Sequence, residues 1–258
     1  MKTKKIFVVG GILSLLLFAA APVQGASETS FYYYGYWRPD FSQANELLDI
    51  DFNQPLGTDL KLTGGAAYGG SIELPIRRTI KVKKREGERA AVISTRSKLR
   101  IDFGYFGTKT EGTGTTTTPS YTKEDKVKIG LQANPIFVSR LYERESTTSR
   151  FSYFMGAGIG LFIANVKATD NWILYYNDGQ SESGGDSFTE VMNSVGYQLM
   201  GGIKFQLGKE KRSIEKRRSW FFFVEGKYIW AKSTSKTLEA LQIDWSGFTG
   251  AIGFVFRA

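Results

Sequence analysis

The chain contains neither cysteine nor histidine. Without cysteine, no disulfide staples the fold and no thiolate binds a metal. Without histidine, the commonest general base and the commonest transition-metal ligand are missing, so Ser-His-Asp and Cys-His constellations are impossible. A Ser-Lys pair or paired carboxylates remain chemically open. No stretch has the D-x-[DN]-x-[DN]-G spacing of a calcium loop. Proline is scarce at 6 residues, whereas glycine at 29 and aromatics at 14% are plentiful, a balance that favours sheet over helix. The run GAGIG at 156–160 is not a nucleotide loop, because no helix follows it and its glycines alternate as strand positions do. The residues nominate no catalytic, cofactor-binding or metal site, and the chain is read as a non-enzyme.

Long apolar runs are also missing, with one exception. Ile6 to Ala21 is apolar, Lys2, Lys4 and Lys5 precede it, and Val23-Gln24-Gly25 offers small residues at a cleavage site. This pattern predicts a secretory signal peptide over 1–25 and a mature domain over 26–258. Cleavage removes three lysines, so the formal charge falls from +9 to +6 (9 − 3). No other segment reaches the roughly 18 apolar residues of a spanning helix. The exported chain either stays in solution or crosses a membrane as a closed barrel of strands.

What the sequence has instead is alternation. Eight segments near 30–37, 65–77, 90–107, 125–142, 150–167, 190–207, 219–232 and 244–257 carry apolar residues with period two. In the seventh, Trp220, Phe222, Val224, Gly226, Tyr228 and Trp230 share one parity, while Phe221, Phe223, Glu225, Lys227 and Ile229 share the other. Trp220 and Trp230 lie ten residues apart on one face. At about 3.3 Å per residue and a tilt near 40°, that is roughly 25 Å, the height of the apolar band between two aromatic girdles. Trp220, Tyr228 and Trp230 are therefore assigned to the girdle.

Glu225 and Lys227 would then point into the lumen. Parity adds Glu73, Arg100, Asp102 and Lys204 to the same predicted charge network, because burying charge requires partners. Gly156, Gly158 and Gly160 on the inner parity would make room for long neighbours such as Lys204 and Arg100. A soluble barrel with an apolar inside is the competing arrangement. Opposite charges on one strand and aromatics at both ends of the apolar face weigh against it. The first segment, FYYYGYW, is too uniformly aromatic to fix its facing, and Pro135 leaves the fourth open beyond Asn134.

With the N-terminus on the periplasmic side, the outward connections are 38–64, 108–124, 168–189 and 233–243, mostly longer than the inward 78–89, 143–149 and 208–218. The outer connections 108–124 and 168–189 are the candidate contacts for a surface ligand. Within the latter, Trp172 to Tyr176 could continue a strand, pack on the barrel mouth or form a contact patch, and continuing strand is favoured. The inward RTIKVKKREGER and GKEKRSIEKRR are strongly basic. They read as solvated turns that discourage edge pairing, or as attractors of anionic headgroups. Nucleic acid is no partner for an exported chain.

The stretches FSYFMGAGIGLFIANVKA, VGYQLMGGIKFQL, WFFFVEGKYIWAKS and DWSGFTGAIGFVFRA, in that order to the C-terminus, resemble the last four strands of the small outer-membrane β-barrels of Gram-negative bacteria, the OmpA-, OmpX- and OmpW-type eight-stranded barrels. The resemblance implies an all-β fold: an eight-stranded antiparallel transmembrane β-barrel in the cell outer membrane, with outer-membrane lipid and, during biogenesis, the barrel-assembly machinery as partners. It implies a structural or surface-interaction role without a wide pore, or else a narrow channel or binder for small hydrophobic molecules, as in OmpW-type barrels. Members commonly end on an aromatic residue, whereas here Arg257 and Ala258 follow Phe256. Related lipid A deacylases and palmitoyltransferases use Ser and His, so their activity is not carried over to a chain without histidine.

Overall fold

A computed structural model describes residues 28–83, 91–208, 219–236 and 242–257. The predicted signal peptide, and residues 84–90 and 209–218 of the basic turns, lie outside the described residues. Eight strands close into a ring: β1 (Glu28–Trp37), β2 (Gly65–Lys83), β3 (Ala91–Thr117), β4 (Tyr121–Ser146), β5 (Phe151–Tyr176), β6 (Ser181–Gln206), β7 (Ser219–Thr234) and β9 (Gly247–Arg257). The short β8 (Gln242–Asp244) pairs on the far end of β7. Every neighbour in the ring is antiparallel, and β9 closes it by pairing with β7 on one side and β1 on the other. Glu28 lies opposite Arg257, so the first and last strands meet at one end.

The period-two pattern sorts side chains as an inside and an outside. On β7, Trp220, Val224 and Trp230 are exposed while Phe221, Phe223, Glu225, Lys227 and Ile229 are buried. The outward belt continues through Phe248, Ile252 and Phe254 of β9 and Val195, Tyr197, Leu199 and Ile203 of β6, each at least half exposed. Water does not tolerate an apolar surface of this extent, whereas acyl chains require it. Glu73, Arg100, Asp102, Lys204, Glu225 and Lys227 are buried inside the ring, opposite to a soluble barrel. The geometry is that of a membrane-spanning β-barrel, and no helix among the described residues is long and apolar enough to cross a membrane.

Several local expectations are corrected. The outward connections 108–124 and 168–189 are not loops. β3 runs to Thr117 and β4 starts at Tyr121, while β5 runs to Tyr176 and β6 starts at Ser181. The threonine tract of 113–118 is β-branched and suits a strand. The favoured continuing strand through Trp172 to Tyr176 is what forms. Past the ring, β3 to β6 thus rise as a four-stranded tower. Along β6 it spans Ser181 to Gly196, roughly 50 Å of strand at about 3.3 Å per residue.

Pro135 neither bulges β4 nor turns its facing. The β4–β5 register is unbroken across Pro135↔Phe162, and odd residues face inward from Asp125 to Glu145. Gly104 gives the pyrrolidine room, since a Cβ there would stand 2.9 Å from Pro135 Cγ. The first strand had no single facing to find. Gly35 is an extra residue between Tyr34↔Ala251 and Tyr36↔Gly250. This bulge lets both Glu28 and Trp37, nine positions apart, lie buried. The glycines of β5 are filled by other neighbours than expected: Cβ atoms at Gly156, Gly158 and Gly160 would meet Leu141, Ser139 and Phe137 of β4.

The outward segment 38–64 folds into the barrel. It forms α1 (Ser42–Leu48), a π turn (Asp49–Asn53) and α2 (Gln54–Leu56), which stops at Gly57 with φ 66°. Two asparagines clamp the returning chain. Asn45 donates to Leu62 O at 3.0 Å and accepts from Leu62 N at 2.7 Å, and Asn53 makes the same pair with Leu60 at 3.1 and 2.7 Å. Each side chain thereby imitates one rung of a strand. Phe41, Ala44, Leu48, Leu60 and Leu62 are buried against Trp37, Phe106, Phe162 and Trp245.

Candidate functional site

The lumen has two halves. The half nearer the termini holds an ion network, and the outer half holds the apolar plug. Lys204 of β6 places its ammonium 2.8 Å from Glu28 and Glu73 and 3.2 Å from Glu143. Lys98 of β3 reaches Glu28 at 2.7 Å and Glu73 at 3.1 Å, and also pairs with Glu143. Arg257 donates to Glu28 at 2.6 Å and lies 3.3 Å from Glu145, while Arg96 holds Glu145 at 2.7 Å. Higher up, Arg100 pairs with Glu225 and with Asp102 at 2.8 Å. Lys227 bridges Asp102 at 2.9 Å and Glu225 at 3.0 Å. Gln198 donates to Asp102 at 3.2 Å and Ser139 at 2.8 Å.

Six carboxylates (Glu28, Glu73, Asp102, Glu143, Glu145, Glu225) therefore meet six cations (Arg96, Lys98, Arg100, Lys204, Lys227, Arg257), all buried. The equality has a physical reason. Removing an ion from water costs several kcal/mol, which only close opposite charges offset, so any excess of one sign would stay uncompensated. Among the described residues, Glu28, Glu73 and Glu143 offer carboxylate oxygens within 4.8 Å of one another, close enough to share a metal ion. The lysine ammoniums of Lys98 and Lys204 already stand against those oxygens, so the cation is supplied by the protein.

The six lumen residues named from parity, Glu73, Arg100, Asp102, Lys204, Glu225 and Lys227, are all inside and in one connected network, with Arg100 3.9 Å from Glu73 as the link between its halves. Glu28, Arg96, Lys98, Glu143, Glu145, Arg257 and Gln198 complete it. Lys98 shares the parity of Arg100, Glu143 and Glu145 lie past Pro135, and Glu28 and Arg257 sit at the strand ends. Trp220, Tyr228 and Trp230 face outward, with Trp220 beside Phe256 at 4.9 Å and Tyr228 beside Trp230 at 4.5 Å. Glu225's partners reassign the cost of losing it. Lys227 keeps Asp102, but Arg100 loses a two-pronged partner. Glu225→Ala is expected to lower unfolding free energy by about 3 kcal/mol, and Arg100→Met in the same chain to restore part of it. Urea unfolding of the two variants in phospholipid vesicles measures this, and an unchanged midpoint for the single variant would remove the pairing from the account.

The plug is aromatic. Trp37 meets Phe106 at 5.0 Å, Trp245 meets Phe162 at 6.1 Å, and the Trp245 indole donates to Ser233 at 2.9 Å. Between plug and ion network lies a cavity of about 20 Å³, lined by Trp37, Asp102, Phe137, Gln198 and Thr249 among others. That is room for one water and no larger solute.

Above the membrane, charge and backbone polarity combine on β6. Between Lys167 and Lys204 the chain carries Asp170, Asp178, Glu182, Asp186 and Glu190 and no lysine or arginine. Tyr176 donates its N–H to Gln180 O, so even-numbered residues of upper β6 bond β5. The odd residues Ser181, Ser183, Gly185, Ser187 and Thr189 aim their N–H and C=O groups the other way. Among the described residues no strand pairs with that edge above Gly196. On β3 the returning segment lies against the inward face: Lys61 N donates to Thr110 Oγ1, and Leu60 and Leu56 occupy the space beside Gly112 and Gly114.

No protein-family model matches the sequence, and no curated protein matches it. Among solved structures, the chain is similar to neisserial surface protein A, with a TM-score of 0.38 and 11% identity over 91% of this chain and 97% of that one. It is also similar to the translocator domain of the autotransporter NalP from Neisseria meningitidis, with a TM-score of 0.19 and 10% identity over 98% and 96%. The fold assignment stands on the closed strand ring and its apolar belt.

Proposed function

We propose that the chain is a surface-interaction barrel: a plugged outer-membrane anchor that holds the β3–β6 tower above the outer leaflet and offers the acidic edge of β6 to an extended, basic polypeptide segment. The observation that carries this reading is the contrast between a filled lumen and four strands that continue far past the ring. A narrow channel or a binder of small hydrophobic molecules would need the plug or the ion network to move. Edges of this kind are usually blunted by lysine, proline or a covering loop. Between Ser181 and Thr189 upper β6 has no lysine or proline, and among the described residues no strand pairs with it, so its glycines and serines leave the backbone accessible. Strand addition uses main-chain hydrogen bonds for affinity and side-chain complementarity for choice of partner. Glu182 and Asp186 favour lysine or arginine on the incoming strand.

The test uses the folded barrel in vesicles and two synthetic decapeptides, alternating lysine with threonine and glutamate with threonine. The lysine peptide is expected to bind and the glutamate peptide to fail. Ser183→Pro with Ser187→Pro deletes two edge donors without touching the β5 ladder, and should abolish binding with gel migration of the folded form unchanged. Lysine-peptide binding that survives the double proline variant, or stepwise conductance by the wild-type barrel in planar bilayers, would overturn the reading.

A further inference from the structure

The inner face of the tower carries a second group of acids, separate from the lumen network. Asp125 of β4 faces inward and is fully buried. Its direct cross-strand neighbour is Trp172, and Asp170 of β5 lies diagonally beside it, opposite Val127. Asp186 of β6 stands directly across from Asp170. Among the described residues Lys123 is the cation ion-paired within this group: its ammonium lies 2.6 Å from Asp125 Oδ1 and 5.9 Å from the Trp172 ring centre. Asp125 Oδ2 is buried with no hydrogen-bond partner, and so is Asp170 Oδ1. Burial and the charges of Asp125 and Asp186 push the Asp170 carboxyl up, with Lys123 offsetting part of this. A further oxygen lies close by. Gly114 sits opposite Asp125, and the space its side chain would fill is taken by the carbonyl oxygen of Leu56, at the end of α2.

We infer that this face of the tower is a binding site for a divalent cation, with Asp125 and Asp170 as ligands and Asp186 at its rim. Three carboxylates against one ammonium leave an excess of two negative charges, the charge of one divalent ion. The donors are all oxygens, which selects hard cations over zinc or copper. Calcium suits the site better than magnesium, because it accepts irregular oxygen shells and sheds water more readily. Lys123 is the built-in competitor: it holds Asp125 when no metal is present and can swing to solvent, since its side chain is 30% exposed. Bound metal would tie β4 to β5 and β6 in the part of the sheet that no ring closure supports.

The experiment uses the full folded barrel, refolded in detergent free of lipopolysaccharide and stripped with a chelator. Calcium binding is read by calorimetry, and terbium as a luminescent calcium substitute is excited through tryptophan. Saturable calcium binding is expected, together with terbium emission that calcium displaces. Trp172→Phe should lose most of the emission but keep calcium binding. Asp125→Asn with Asp170→Asn should lose both, with folded-form gel migration unchanged, and Lys123→Gln should bind calcium several-fold more tightly. No saturable binding by the wild-type barrel, or equal binding by the double Asn variant, overturns the inference. Emission that persists in Trp172→Phe places the ion elsewhere and overturns it as well.

Discussion

Lys204→Met will destabilise the barrel by about 3–5 kcal/mol, the cost of removing one partner from a buried ion pair. The ammonium of Lys204 touches three carboxylates from three strands, Glu28, Glu73 and Glu143. Methionine keeps most of the volume and removes the charge. Six buried carboxylates then face five cations, and the excess sits where Lys98 and Arg257 are already engaged. Adding Glu143→Gln restores the balance of charge, so the double variant should recover most of the loss although it contains two changes. Urea unfolding in phospholipid vesicles distinguishes the cases. A single variant as stable as the wild type would mean that the network carries no net interaction. A double variant no better than the single would mean that packing, not charge, decides.

The period-two signal made the ring legible because lipid and lumen demand opposite chemistry of alternate residues. It was plainest on β7, where Glu225 and Lys227 stand between tryptophans. It failed where the backbone breaks period two. The Gly35 bulge moves β1 from one facing to the other, and no single parity fits Glu28 and Trp37 together. Pro135 suggested such a break on β4 but makes none, because Gly104 absorbs it. Glu143 and Glu145 were hidden because 143–149 reads as an inward connection, whereas β4 continues to Ser146. Arg257 stood out only as an unusual ending, yet it is the residue that pairs the last strand with Glu28 of the first.

The plug was hidden for a different reason. Phe41, Ala44 and Leu48 recur at helical spacing, i, i+3 and i+7, inside a segment that alternation marks only as a connection. Its Asn45 and Asn53 clamps join residues 17 and 7 apart, which no local pattern announces. The tower was hidden by composition. Polar threonine, glycine and serine read as loop when strand length is judged by apolar content, but above the membrane a strand needs no apolar outer face.

Trp245→Ala is the second large effect, and it separates the two barriers in the lumen. Trp245 is fully buried, and Trp37, Phe41, Phe106 and Phe162 all lie with ring centres 6.0–6.3 Å from its own. Truncating a buried tryptophan costs about 3–5 kcal/mol, partly because the surroundings fill the cavity only in part. Here the loss falls on segment 38–64, which touches the barrel wall through this cluster, and not on the strand ladder. The ring should therefore still migrate as a folded barrel, while proteolysis between Phe41 and Leu62 becomes much faster. Conductance should stay absent, because the six-against-six ion network below the plug is untouched. Trp245→Phe, which keeps an aromatic ring in the cluster, should restore most of the protection. If the alanine variant conducts, the plug alone closes the barrel and the ion network serves only to hold its strands together. If it neither conducts nor is cleaved faster, segment 38–64 is held by its asparagine clamps rather than by the aromatic cluster.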